Sequence, residues 1–142
     1  VERLQSHRIS LTGVTKAVLG SPDIARVMLR AGAVALGDSR IENIESLRRA
    51  NVLAPMTLIR SPMMSQAFRV VKSADVSCNT DIEVIRQLSI EARRIGRDHH
   101  VILMVELGDL REGIMPGDLA GVVDDTRRLP NIHLKGIGTA VV

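Results

Sequence analysis

The sequence predicts an α/β protein, a partial (β/α)8 TIM-type barrel with about six parallel strands alternating with helices. Three observations predict it. Short runs such as Val101 to Leu107 are apolar at successive positions, as in strands buried on both faces. Stretches with apolar residues at helical spacing separate these runs, so strand and helix alternate. The repeat is roughly twenty to thirty residues long and no composition shift marks a linker, which suits successive βα units of one domain over residues 1–142. A doubly wound open sheet is the competing architecture. It usually carries a G-x-G-x-x-G loop after the first strand, and the sequence has none.

Residues 1–7 begin without a start signal and read as the tail of a helix. Ile9-Ser10-Leu11-Thr12-Gly13-Val14-Thr15-Lys16 then reads as a buried, β-branched strand ending in a lysine. Ser21-Pro22-Asp23 starts the next helix, which spans residues 22–31 with Ser21 as N-cap and Gly32 as C-cap. Its apolar residues Ile24, Ala25, Val27, Met28 and Leu29 alternate with Arg26 and Arg30, giving an amphipathic pattern. A short strand over 33–36 follows, and Gly37-Asp38-Ser39-Arg40 leads into a helix over 41–50 with Ile44 and Leu47 facing inward.

The cycle repeats with a strand at 56–59 and a helix at 65–73, then a strand at 76–78 and a helix at 81–95. That longer helix carries Ile82, Ile85, Leu88 and Ala92 on one side. Residues 101–107 form the most hydrophobic strand, and a helix within 116–129 and a strand over 133–139 complete the series. The domain is expected to be incomplete at both ends, short by about two βα units of a closed barrel.

Composition narrows the function classes. Phe68 is the only aromatic residue, so the core must be built from Leu, Ile, Val, Met and Ala, and no platform exists for stacking single-stranded nucleic acid. The net charge of +3 comes with arginines mixed among Asp and Glu along helices, a pattern of solvated faces. Cys78 is the only cysteine, which excludes a disulfide framework and a cysteine-rich metal site and reads as a buried, inert thiol. No run approaches the ~18 apolar residues that span a bilayer, and no signal-like stretch opens the chain. A cytoplasmic protein with neither membrane nor nucleic-acid partner is expected. His99 and His100 are adjacent and cannot share a face, so no metal site is expected there, and His133 reads as structural.

Parallel α/β proteins gather their ligands at the carboxyl ends of the strands. The candidates by position are Lys16, Asp38-Ser39-Arg40, Arg60-Ser61, Asn79-Thr80-Asp81, Glu106 with Asp109 and Arg111, and Thr139. Ser39, Ser61, Thr80 and Asp81 are equally good helix caps. Arg111 sits in a polar loop whose two glycines let the backbone turn tightly, and it also suits a salt-bridged loop residue.

Lys16 stands apart. The chain has three lysines, Lys16, Lys72 and Lys135, against sixteen arginines. A cation at the start of a helix calls for an anionic ligand or a carboxylate, Asp38 or Glu106 being the nearest choices. An amine can lose its proton and attack a carbonyl, whereas a guanidinium stays protonated.

Four segments carry a resemblance. They are Gly13-Val14-Thr15-Lys16, Gly37-Asp38-Ser39-Arg40-Ile41-Glu42-Asn43, the run from Leu103 through Glu106-Leu107-Gly108-Asp109-Leu110-Arg111-Glu112-Gly113 to Ile114, and Gly136-Ile137-Gly138-Thr139. Together, and in this order, they resemble the alanine racemase superfamily, in particular its alanine/ornithine racemase-like amino-acid racemases. The resemblance implies a pyridoxal 5′-phosphate enzyme with an N-terminal (β/α)8 barrel, acting on a free amino acid such as alanine or ornithine and homodimeric at full length. It gives Lys16 the internal aldimine and one catalytic proton, Arg111 a contact with the cofactor's phenolic oxygen, and Ser39 and Arg40 a place beside the cofactor. A Schiff base needs an accessible neutral amine, and burial beside other cations lowers an amine's pKa in that direction.

The chain also departs from the family's pattern. The second base in alanine racemases is a tyrosine of the C-terminal domain, and this chain has no tyrosine. Ala140 follows Thr139 where many of them place a histidine. The loops that usually hold the phosphate lie after later strands, so the 142-residue chain alone is expected not to be competent. A single-barrel pyridoxal phosphate homeostasis protein, which binds the cofactor without turnover, is the alternative; the loop from Glu106 to Gly113 favours the racemase. A barrel fragment that binds no ligand is a third possibility.

Overall fold

The apolar runs form a six-stranded sheet in the computed structural model, which describes residues 1–108, 110 and 112–140. The strands are β1 (Thr12–Val14), β2 (Ala35–Asp38), β3 (Met56–Leu58), β4 (Val76–Asn79), β5 (His99–Met104) and β6 (Ile132–Gly138). Six helices accompany them: α1 (Glu2–Gln5), α2 (Pro22–Arg30), α3 (Ile41–Arg49), α4 (Ala67–Ser73), α5 (Ile82–Ile95) and α6 (Leu119–Arg127). Every neighbouring pair is parallel, and the spatial order is the sequence order β1-β2-β3-β4-β5-β6.

That order decides between the two architectures. A doubly wound sheet needs a point where the strand order reverses and helices pass to the other face. Right-handed crossovers that always step to the next strand keep every helix on one face and curl the sheet around the other. The barrel arrangement is therefore the observed one.

The packed layer lies between sheet and helices. Leu36, Met56, Leu58, Val101 and Leu103 point from the strands into a cluster with Ile44 and Leu47 of α3, Val70 and Val71 of α4, and Ile85 and Leu88 of α5. The opposite, concave face is built from smaller contacts. A Cβ on Gly37 would stand 3.1 Å from the Ile59 side chain and 3.5 Å from that of Thr12.

The first strand is shorter and more exposed than its sequence suggests. Only Thr12–Val14 pairs with β2, Ile9 is 51% exposed and Val14 44%. A strand at the sheet edge has a partner on one side only, and its local pattern does not register this. Thr15 then leaves the sheet, and Lys16 opens a single 3-10 turn, Lys16–Val18, instead of ending a buried strand. Leu19 (φ 52°) and Gly20 (φ 66°) close that turn. A Cβ at residue 20 would come within 2.7 Å of the Asn43 side chain, so glycine is required there on both conformational and steric grounds.

Two other strands are displaced by about two residues: β2 runs on to Asp38, and β5 starts at His99. The polar side chains Ser77, Asn79 and His99 are admitted because each makes at least one hydrogen bond, although Asn79 Oδ1 has no partner among the described residues. Ser77 and His99, both fully buried on the helix-facing side of the sheet, are 2.8 Å apart between Oγ and Nε2, and Asn79 Nδ2 donates to Ser77 Oγ. His100 points to the other face, so the two histidines diverge as an adjacent pair in a strand must.

Burial pushes the His99 pKa down from 6.5 to about 4. The folded protein thus holds His99 neutral while the unfolded chain takes up a proton below about 6.5. Its contribution is intact above pH 6.5 and is lost as pH falls toward 4, by about 3 kcal/mol in all. Urea midpoints measured across this window are expected to fall with pH, and His99→Gln, which does not titrate, should flatten the part of the slope that belongs to this residue.

At the amino end of the sheet, Arg48 of α3 ties together the two loops that lead into β3 and β4. It donates to Ser73 O at 2.9 Å and Ala54 O at 3.0 Å and pairs with Asp75 at 2.6 Å, while Asp75 also accepts from Met56 N. This end is occupied by structural contacts, which directs attention to the opposite one.

Candidate active site

The carboxyl ends of β1 and β2 are locked together by one buried carboxylate. Asp38 is fully buried and accepts from Thr15 Oγ1 at 2.7 Å, Arg40 N at 2.9 Å and Asn43 Nδ2 at 3.0 Å. The Thr15 hydroxyl also lies 3.3 Å from Gly37 O. Three neutral donors replace the water that a buried carboxylate would otherwise need. The bond to Arg40 N makes an Asx turn that starts α3, and the bond to Thr15 fixes the residue before Lys16. Asp38 therefore holds the backbone on both sides of the site and has no side-chain surface left for a ligand.

Lys16 is exposed and makes no ion pair among the described residues, neither with Asp38 nor with Glu106. It lines a cavity of about 470 Å³ with Ser39, Ile59, Arg60 and Glu112. A second cavity of about 280 Å³ adjoins it and shares Ser39, Arg60 and Glu112. Arg40 belongs to this second one, along with Leu58, Pro62 and Met63. The structure thus brings Lys16 and Ser39 into one chamber and sets Arg40 beside it. A primary amine without a partner among the described residues, a hydroxyl and a guanidinium around one opening can hold an anion and present a nucleophile to a carbonyl.

The serine and threonine candidates divide by what they bond. Ser61 Oγ is 3.1 Å from Thr80 Oγ1 and accepts from Thr80 N, joining the loops after β3 and β4. Asp81 caps α5 by accepting from Glu83 N at 2.8 Å. The Ser39 side chain makes no capping bond at α3. It stays available to the cavity.

The loop after β5 is folded back on itself. Val105 and Ile114 form a parallel bridge, Glu106 N donates to Ile114 O at 3.0 Å and Ile114 N to Met104 O at 2.7 Å. The Glu106 carboxylate accepts from Gly108 N and Leu110 N, so it serves the loop's own backbone. Gly113 presses against Glu106: an added Cβ would lie 2.4 Å from its nitrogen and 2.7 Å from its Cα. Gly113→Ala is accordingly expected to push this loop open and cost about 1–3 kcal/mol of stability, read from urea denaturation.

That fold-back delivers Glu112 to the Lys16 cavity, a residue the sequence did not single out. Its only signal there was proximity to Arg111 in a loop flanked by two glycines. Arg111 itself, and Asp109, lie outside the described residues. Cys78 is buried below, and burial together with the charge of Glu112 raises its thiol pKa to about 11, in keeping with an inert thiol. Thr139 Oγ1 donates to Val105 O at 3.0 Å and ties the end of β6 to the end of β5, with its side chain exposed. Among the described residues no group of three or more His, Cys, Asp or Glu could hold a metal, and no helix is long and apolar enough to cross a membrane.

Comparison with known proteins places this arrangement. A lysine racemase of Thermotoga maritima is 34% identical over 139 residues, 98% of this chain and 38% of that enzyme. An ornithine racemase of Acetoanaerobium sticklandii is 35% identical over 126 residues, 88% of this chain and 35% of that enzyme. The chain spans little more than a third of the length of these relatives. Among solved structures, an alanine racemase of Clostridium difficile superposes with a TM-score of 0.86 at 18% identity, over 94% of this chain and 36% of that one. PipY of Synechococcus elongatus, solved with PLP bound, gives 0.83 at 21% identity, over 99% of this chain and 69% of that one. The superpositions establish the barrel fold. Residues 1–141 match the family described as alanine racemase, N-terminal domain, and with relatives above 30% identity along nearly the whole chain it belongs to that family.

Proposed function

We propose that the full-length protein is a pyridoxal phosphate-dependent amino-acid racemase in which Lys16 holds the cofactor and carries the α-proton on one face of the substrate. The observation that carries this reading is the placement of Lys16. Its amine stands at the carboxyl end of β1 with no ion pair among the described residues, in a 470 Å³ cavity with Ser39 and Arg60. The relatives named lysine racemase and ornithine racemase support the reaction class.

The residues present fit the cofactor. A free amine suits its carbonyl, and Arg60, Ser39 and the nearby Arg40 suit anionic and polar substituents. Arg111, which lies between Glu106 and Gly113 in the sequence, is assigned the phenolic oxygen. When bound, pyridoxal phosphate supplies the electron sink that stabilises a deprotonated α-carbon, which leaves the protein to orient the proton carriers. Lys16 is one carrier; the other, and the groups that hold the phosphate, are assigned to parts of the full-length homodimer beyond this stretch. Substrates are free amino acids of the lysine, ornithine and alanine kind.

The cofactor-carrier reading is the alternative; PipY, solved with PLP bound, shares the fold, and this chain covers 69% of it. Turnover separates the two. Full-length protein incubated with L-lysine, L-ornithine or L-alanine and analysed by chiral chromatography should form the D-enantiomer. Cofactor binding with no enantiomer formed from any of them would support the carrier instead.

A further inference from the structure

Glu112 is the only carboxylate among the described residues that line the Lys16 cavity. It makes no hydrogen bond or ion pair among the described residues, although Lys16 and Arg60 line the same space. The other carboxylate nearby, Glu42 in the adjoining cavity, is paired with Arg69 at 2.8 Å. Nor does Glu112 stand on a loose tip. Gly113, the next residue, is wedged against the Glu106 backbone, and the Val105–Ile114 bridge closes the loop behind it.

A carboxylate in this position works against one end of an amino acid and for another. It repels the α-carboxylate, which Arg60 suits better, and it offers nothing to a methyl side chain. It fits an ammonium at the end of a flexible methylene chain. Glu112 also sits where the two cavities meet, and Leu58, Pro62 and Met63 of the second give an apolar wall along which methylenes can lie while the charged head stays at the carboxylate.

Building on the racemase reading above, we infer that Glu112 is the residue that selects substrates with a cationic side chain, by binding the terminal ammonium of a diamino acid. Glu112 is exposed at the cavity mouth, so such a charge-assisted contact is worth about two- to fivefold in affinity. The neighbouring Arg60 and Arg40 make an uncompensated ammonium unwelcome, which sharpens dependence on this one carboxylate.

The test uses the full-length holoenzyme and its Glu112→Gln and Glu112→Lys variants. Glu112→Gln should lower kcat/KM for lysine relative to alanine by about two- to fivefold, chiefly through KM, and weaken calorimetric binding of cadaverine by a similar factor. Glu112→Lys should lower both further. An unchanged lysine-to-alanine ratio and unchanged cadaverine binding would overturn the inference, as would a loss shared equally by lysine and alanine. If the wild type racemises alanine but not the diamino acids, the inference fails while the racemase reading stands. If it racemises none of them, the racemase reading itself fails.

Discussion

Replacing Lys16 with arginine is expected to abolish racemisation by the full-length protein, lowering kcat/KM by at least about 10³-fold. Arginine keeps the positive charge at the cavity, so an electrostatic role alone would survive the change. What it removes is an amine able to bond a carbonyl and to pass a proton, and general acid–base transfer alone is worth about 10²–10⁴-fold. The wild type reduced with borohydride should carry its label on Lys16 in a peptide map. Labelling of Lys72 or Lys135 with Lys16 bare would end the assignment; Lys72 lies on α4 and Lys135 on β6, both apart from the cavity.

The second large effect concerns Asp38, which touches no ligand in the proposed site. Asp38→Ala strands the Thr15 hydroxyl, the Arg40 amide and the Asn43 side chain, three donors that its two oxygens satisfy. A loss of about 3 kcal/mol or more in unfolding free energy is expected, since each stranded buried donor costs about 1–3 kcal/mol. Asp38→Asn keeps the volume but sets an amide among groups that already donate, and should lose less. Urea denaturation of the three proteins gives the ranking. An alanine variant as stable as the asparagine one would show that the carboxylate is not the anchor of the β1 and β2 ends.

The same network explains what was legible in the site. Lys16 could be singled out because amines are rare in this chain and because a strand end is where a parallel sheet places its ligands. Ser39 could be suspected from the same positional rule, and the two do line one cavity. Asp38 was a candidate by position as well, yet its role is to accept three internal hydrogen bonds, which depends on where Thr15 and Asn43 end up, 23 and 5 residues away. Arg40 shows the same limit, sitting one cavity over from the lysine. Glu112 offered only its place beside Arg111, because its approach to Lys16 follows from Gly113 closing on the Glu106 backbone.

By itself the sequence determined the alternation of strand and helix, the helical faces and the parallel α/β class. Those follow from periodicity, and a strand apolar at successive positions has to be covered on both faces whatever its neighbours are. Tertiary structure alone decided that the strands follow one another in space, that the first is a three-residue edge strand, and that Lys16 opens a turn in an exposed cavity. It also decided which charges meet there, since that is set by loops returning from distant positions, and local residue patterns carry no record of where such loops close.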